Sequence, residues 1–102
     1  MSPPIESPIA ARWNAAVFVC RKCMKRQDRD ELRGDLRDVL KAGGRRDVRV
    51  IACGCMDLCP RDGVTIALGN ELAESPPRLH ILDNAQPVAA LGAWLLESMP
   101  PR

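Results

Sequence analysis

The feature that most restricts this chain is a set of cysteines in two short-range pairs, Cys20-Arg21-Lys22-Cys23 and Cys55-Met56-Asp57-Leu58-Cys59, with residues 24–54 between them. Cysteines two or three residues apart can turn both sulfurs toward one point, so a fold that returns the second loop to the first would gather four thiols. A fifth cysteine, Cys53, makes the count odd, which suits metal ligation or thiol chemistry better than a disulfide framework. The chain has 102 residues, 46% of them apolar and 27% charged, enough for one hydrophobic core. Its aromatics are Trp13, Phe18 and Trp94 alone, so aliphatic side chains carry the packing.

The periodicity predicts where the cysteines sit. Residues 1–14, with Pro3, Pro4 and Pro8, read as an irregular lead-in to one domain over 15–100. The run AVFVC is short, apolar and β-branched and predicts a buried strand ending at Cys20, followed by a basic loop RKCMKRQ. Leu32, Leu36, Val39 and Leu40 form the stripe of an amphipathic helix over 29–42. Asp28 or Asp30 is its expected N-cap, with Glu31 completing a capping box, and Gly43-Gly44 its left-handed end. Gly34 inside it is expected to mark a close packing contact. DVRVIA then gives a strand reaching Cys53, VTIAL and RLHIL two more, and Val88, Leu91, Leu95 and Met99 a final helix between Pro87 and Pro100.

The resulting order is β-α-β-β-β-α, an α/β fold with a small mixed sheet and helices packed on it. Strands joined through a helix run parallel by a crossover, and the last three strands are expected to form a meander. Both cysteine pairs follow a strand. If those strands are parallel neighbours, both loops leave the same carboxyl edge.

Four such thiols suit a [2Fe–2S] cluster, with two cysteines per iron, or a tetrahedral zinc. Against both stands the plain use of cysteine as a small buried apolar residue. Dithiol redox chemistry at CRKC is a third reading, weakened because MKRQ separates the pair from the predicted helix and its dipole.

VFVC at the first strand, CGCMDLC, the following Pro60, the DGVTIAL strand and the element order together resemble the thioredoxin-like [2Fe–2S] ferredoxins over residues 16–98. The resemblance implies a thioredoxin-like fold, an electron-transport role and a cluster held by Cys20, Cys23, Cys55 and Cys59. The better-known members space their first two ligands much more widely. The close CxxC brings this chain nearer to related small metal-binding proteins, some linked to cobalamin biosynthesis. A homodimer is implied too, and the apolar helix LGAWLLESM offers a surface for one if Trp94 does not simply cover the core.

The remaining residues narrow the function. Cys53 is expected to be a buried strand-end residue or a reserve ligand. His80, the single histidine, excludes a Rieske centre and is expected to face solvent. Asp57 and Asp62 read as turn residues. Arg21, Lys22, Lys25, Arg26 and Arg29 form a solvated basic surface or an electrostatic counterweight to a cluster, whose thiolate complex carries a net −2 against a formal chain charge of +2. Met56, Leu58 and Pro60 are placed to limit water, and backbone N–H groups near Gly54 and Met56 to bond sulfur. No phosphate-loop, dinucleotide, zinc-protease or serine-hydrolase motif occurs, so an electron carrier with a redox partner protein is expected rather than an independent enzyme. The small net charge disfavours nucleic acid, the apolar runs are too short for a membrane span, and the first residues lack a leader's apolar core. A cytoplasmic location is the expectation.

Overall fold

The computed structural model describes residues 10–101; residues 1–9 of the expected lead-in lie outside them, and residues 10–14 form no helix or strand. The elements are β1 (Ala15–Cys20), α1 (Arg21–Arg26), α2 (Leu32–Ala42), β2 (Val48–Cys53), β3 (Gly63–Leu68), a 3-10 turn (Gly69–Glu71), β4 (His80–Asp83) and α3 (Val88–Ser98). They build an α/β structure on one four-stranded mixed sheet.

The sheet order is β2-β1-β3-β4, with β1 parallel to β2 and antiparallel to β3, and β3 antiparallel to β4. The parallel β1–β2 pair and the β3–β4 hairpin agree with expectation. The meander does not: β1 lies between β2 and β3. Burial explains the difference. β1 and β3 are almost entirely buried and take the centre, whereas β2 and β4 expose Arg49, Ile51, Ile81 and Asp83 and take the edges.

The register sorts side chains between two faces. Val17, Val50, Ile66 and Leu82 share one face, where they join a core with Leu32, Leu36 and Leu40 of α2 and Leu91 and Leu95 of α3. Cys20, Cys53 and Thr65 fall on the other.

Residues 21–26 were expected as loop and are helical. Straight-chain Arg, Lys and Met suit a helix, and Cys20, Cys23 and Met24, at i, i+3 and i+4, are its buried stripe. Asp28, at φ 55°, ends α1, with Arg29 N–H bonded to Met24 O at 2.8 Å and Asp28 N–H to Lys25 O at 3.3 Å. Committed to that reversal, Asp28 cannot cap α2. That helix begins later than expected, after Glu31, with no side-chain cap, so the capping box is absent. Its far end closes as expected on Gly44 at φ 85°.

A clamp fastens the opposite end of the sheet. Arg45 bonds Asp47 through Nε at 3.0 Å and Nη2 at 3.1 Å, and reaches Pro100 O at 2.8 Å beyond α3. Asn14 donates its backbone N–H to Asp47 O at 2.8 Å and its Nδ2 to Oδ2 at 3.2 Å. The Arg45 hydrogen bonds hold the Asp47 carboxyl at about 2. A carboxyl lowered in the folded state stabilises above its ordinary value of 3.8 and ceases to as pH falls through about 2. In urea unfolding, Asp47→Asn should therefore flatten the loss of stability seen below pH 4 in the parent, with little change in slope above pH 5.

Gly34 has open space around it, contrary to the expected packing contact, whereas a Cβ on Gly92 would overlap Val39 where α3 crosses α2. Gly34→Ala should raise unfolding free energy by about 0.5–1 kcal/mol. Gly92→Ala should lower it by about 1–3 kcal/mol, both read from denaturant midpoints.

Candidate metal centre

Both cysteine pairs leave the sheet at the carboxyl ends of β1 and β2, which are parallel and in register, with Cys20 beside Cys53. Cys20 closes β1 and caps α1: the Cys23 backbone N–H donates to its Sγ at 3.4 Å. Residues 54–62, between β2 and β3, carry the second pair, and Asp57 at φ 63° makes the turn that faces Cys55 Sγ toward Cys59 Sγ at 3.6 Å. Asp57 thus has the turn role expected of it.

Two contacts tie that loop to the first pair. Gln27 Nε2 at the end of α1 donates to Arg61 O at 2.8 Å. Thr65 Oγ1, wholly buried on β3, donates to Leu58 O at 2.8 Å, and Cys23 Sγ stands 3.9 Å from both oxygens. Sequence reading passed over Thr65; its one visible signal is a hydroxyl inside the otherwise apolar strand VTIAL.

The pairs differ in burial. Cys20 and Cys23 are 0% and 1% exposed, while Cys55 and Cys59 lie open to solvent. Burial, reinforced by the contact with Cys23, pushes the Cys20 thiol up. Burial also opposes ionisation of Cys23, but the Thr65 backbone N–H, the Cys20 and Thr65 side-chain bonds and the Arg26 charge outweigh it and bring that thiol below the usual range. Cys59 is raised, first by its bond to Cys55, and it feels both Lys22 and Cys23, so the two pairs share one electrostatic environment. Cys53 is half-exposed, not buried as expected, because β2 is an edge strand with a neighbour on one side only. Desolvation, then the adjacent Cys20, raises its thiol.

The spacing of the second pair fits a thiolate-bound metal. Two thiolates about 2.3 Å from one tetrahedral ion stand about 3.8 Å apart, close to the 3.6 Å between Cys55 and Cys59. The two pairs share one edge of the sheet. Among the described residues no group of three or more His, Cys, Asp or Glu side chains is gathered as a metal site. The dithiol reading gains the helix start that it lacked in the sequence, yet loses access, since an attacking thiolate must reach its target and both CRKC sulfurs are buried.

His80 takes no part. It pairs with Ile66 on β3, bonds Glu71 at 2.6 Å and packs edge-on to Trp94 at 5.1 Å. It is half-buried rather than turned to solvent, and Trp94 lies against the core. Met56 and Pro60 are half-buried and Leu58 is exposed, giving the cysteine loop a partly apolar wall. Among the described residues no helix is long and apolar enough to cross a membrane.

No family model, curated protein or solved structure matches the chain.

In metal-free protein, Cys55 and Cys59 should react with iodoacetamide at least about tenfold faster than Cys20 and Cys23, which should become reactive only on unfolding. Peptide mass spectrometry of a timed quench checks this, with Cys53 expected between the two groups.

Proposed function

We propose that this chain is a thioredoxin-like [2Fe–2S] electron-transfer protein whose cluster is held by Cys20, Cys23, Cys55 and Cys59. The observation that carries the reading is the placement of both cysteine pairs at one carboxyl edge, with the Cys55 and Cys59 sulfurs 3.6 Å apart and Cys23 against the loop that bears them. The sheet order β2-β1-β3-β4 supports the thioredoxin-like assignment. Bound there, the group supplies a one-electron couple.

The chain's own residues prepare that position. Thr65 and the α1 backbone direct hydrogen-bond donors at the first pair and favour the thiolate at Cys23. Arg26 and Lys22 place positive charge beside Cys23 and Cys59, which offsets thiolate charge and favours the reduced state. The same cations attract a redox partner that presents carboxylates. The exposed second pair gives that partner short access, while the buried first pair fixes the site to the core.

Iron, acid-labile sulfide and zinc should be measured on anaerobically purified full chain together with the visible spectrum. Two iron and two sulfide per chain are expected. Cys→Ser at any of the four ligands should degrade the spectrum, and Cys53→Ser should preserve it. One zinc without sulfide would replace electron transfer by a structural or metal-handling role, including one in cobalamin metabolism. Loss of the spectrum in Cys53→Ser with retention in Cys55→Ser would overturn the ligand assignment.

A further inference from the structure

Along the free edge of β2, toward the amino end of β1, lies a groove of about 360 Å³. Arg12, Arg33, Arg37, Lys41, Arg46 and Arg49 line it, and none of its described lining residues is acidic. A chain with a formal charge of only +2 thus gathers six cations at one concavity.

The fold explains the gathering. Arg33, Arg37 and Lys41 repeat every four residues and fall on one flank of α2. Arg49 comes from the sheet face opposite α2, and Arg12 and Arg46 from the segments before β1 and β2. Val48 and Val50 form an apolar floor, and the exposed Trp13 stands at the rim. Two acids flank the groove: Asp38 pairs with the groove's own Arg37 at 3.4 Å, and Asp47 with Arg45 at 3.0 Å. Bringing like charges together in a groove whose described lining holds no carboxylate costs free energy that an anion there would recover.

Two features select the kind of anion. Arg33 Nη1 donates to Val50 O at 3.4 Å, occupying a β2 carbonyl that an added peptide strand would compete for. Five of the six cations are guanidinium groups, whose planar donors match phosphate oxygens in pairs. We infer that this groove binds a small polyanion carrying adjacent phosphate groups, independently of the cysteine centre.

Calorimetric titration of the full chain with inorganic tripolyphosphate tests this. Saturable one-to-one binding is expected, and it should weaken as salt rises from about 50 to about 300 mM. The triple variant Arg37→Gln, Arg46→Gln, Arg49→Gln should bind at least about tenfold more weakly, while Arg61→Gln with Arg78→Gln should stay within about twofold of the parent. These arginines are exposed, and circular dichroism checks that each variant is folded. Titrating pyrophosphate against ADP in Trp94→Phe protein, where Trp13 is the remaining tryptophan, separates the two sources of such a group. Equal affinity assigns the site to a phosphate chain; tighter ADP binding with a change in Trp13 emission assigns it to a nucleotide. Absence of saturable binding, equal weakening in the Arg61/Arg78 variant, or tighter binding of an oligoglutamate peptide would overturn the inference.

Discussion

Everything distinctive here depends on the parallel pairing of β1 with β2. Two parallel neighbours end at the same edge, so loops far apart in sequence emerge side by side, and the in-register pairing of Cys20 with Cys53 fixes where. The crossover must pass through α2, whose Leu32, Leu36 and Leu40 bury against the sheet and hold the two strands as one unit. A slip of one residue in that pairing would turn Val48 and Val50 out of the core and displace the second cysteine loop with them.

That edge treats its two cysteine pairs unequally. The first grows out of the core: Cys20 ends a central strand, Cys23 is the buried side of the helix that follows, and both are protected by packing. The second belongs to a solvent-facing loop held by a left-handed Asp57 and by hydrogen bonds from Gln27 and Thr65. A metal joining these pairs would couple a stable region to a weakly held one, so its binding energy would mainly order residues 54–62. The basic groove begins at the other end of the same strands. The cysteine edge and the basic groove are therefore separated by the length of β2.

Much of this was legible before the structure. The apolar run at 16–20, the α2 stripe, the Gly43-Gly44 ending and the Pro87 and Pro100 limits of the last helix are local signals, and each is realised locally. Where local signals misled, a competing contact is visible. RKCMKR looks like a solvated loop because four of its six residues are cationic, yet Cys23 and Met24 alone supply its buried side. Asp28 looks like a cap for α2, but it is spent reversing the chain after α1. Thr65 gave little warning, since a hydroxyl within a strand declares its partner only when Leu58 and Cys23 arrive beside it.

Sequence by itself determined the alternation of strands and helices, the spacing within each cysteine pair and the number of cysteines available, because each depends on neighbours along the chain. Tertiary structure alone decided that β1 separates β2 from β3, that one cysteine pair is buried and the other open, that Cys53 lies half-exposed, and that six scattered cations meet at the β2 edge. Those outcomes depend on which strands win the centre of the sheet. That contest is settled by how much apolar surface each can bury on both faces, a property of the assembled layers rather than of any one segment.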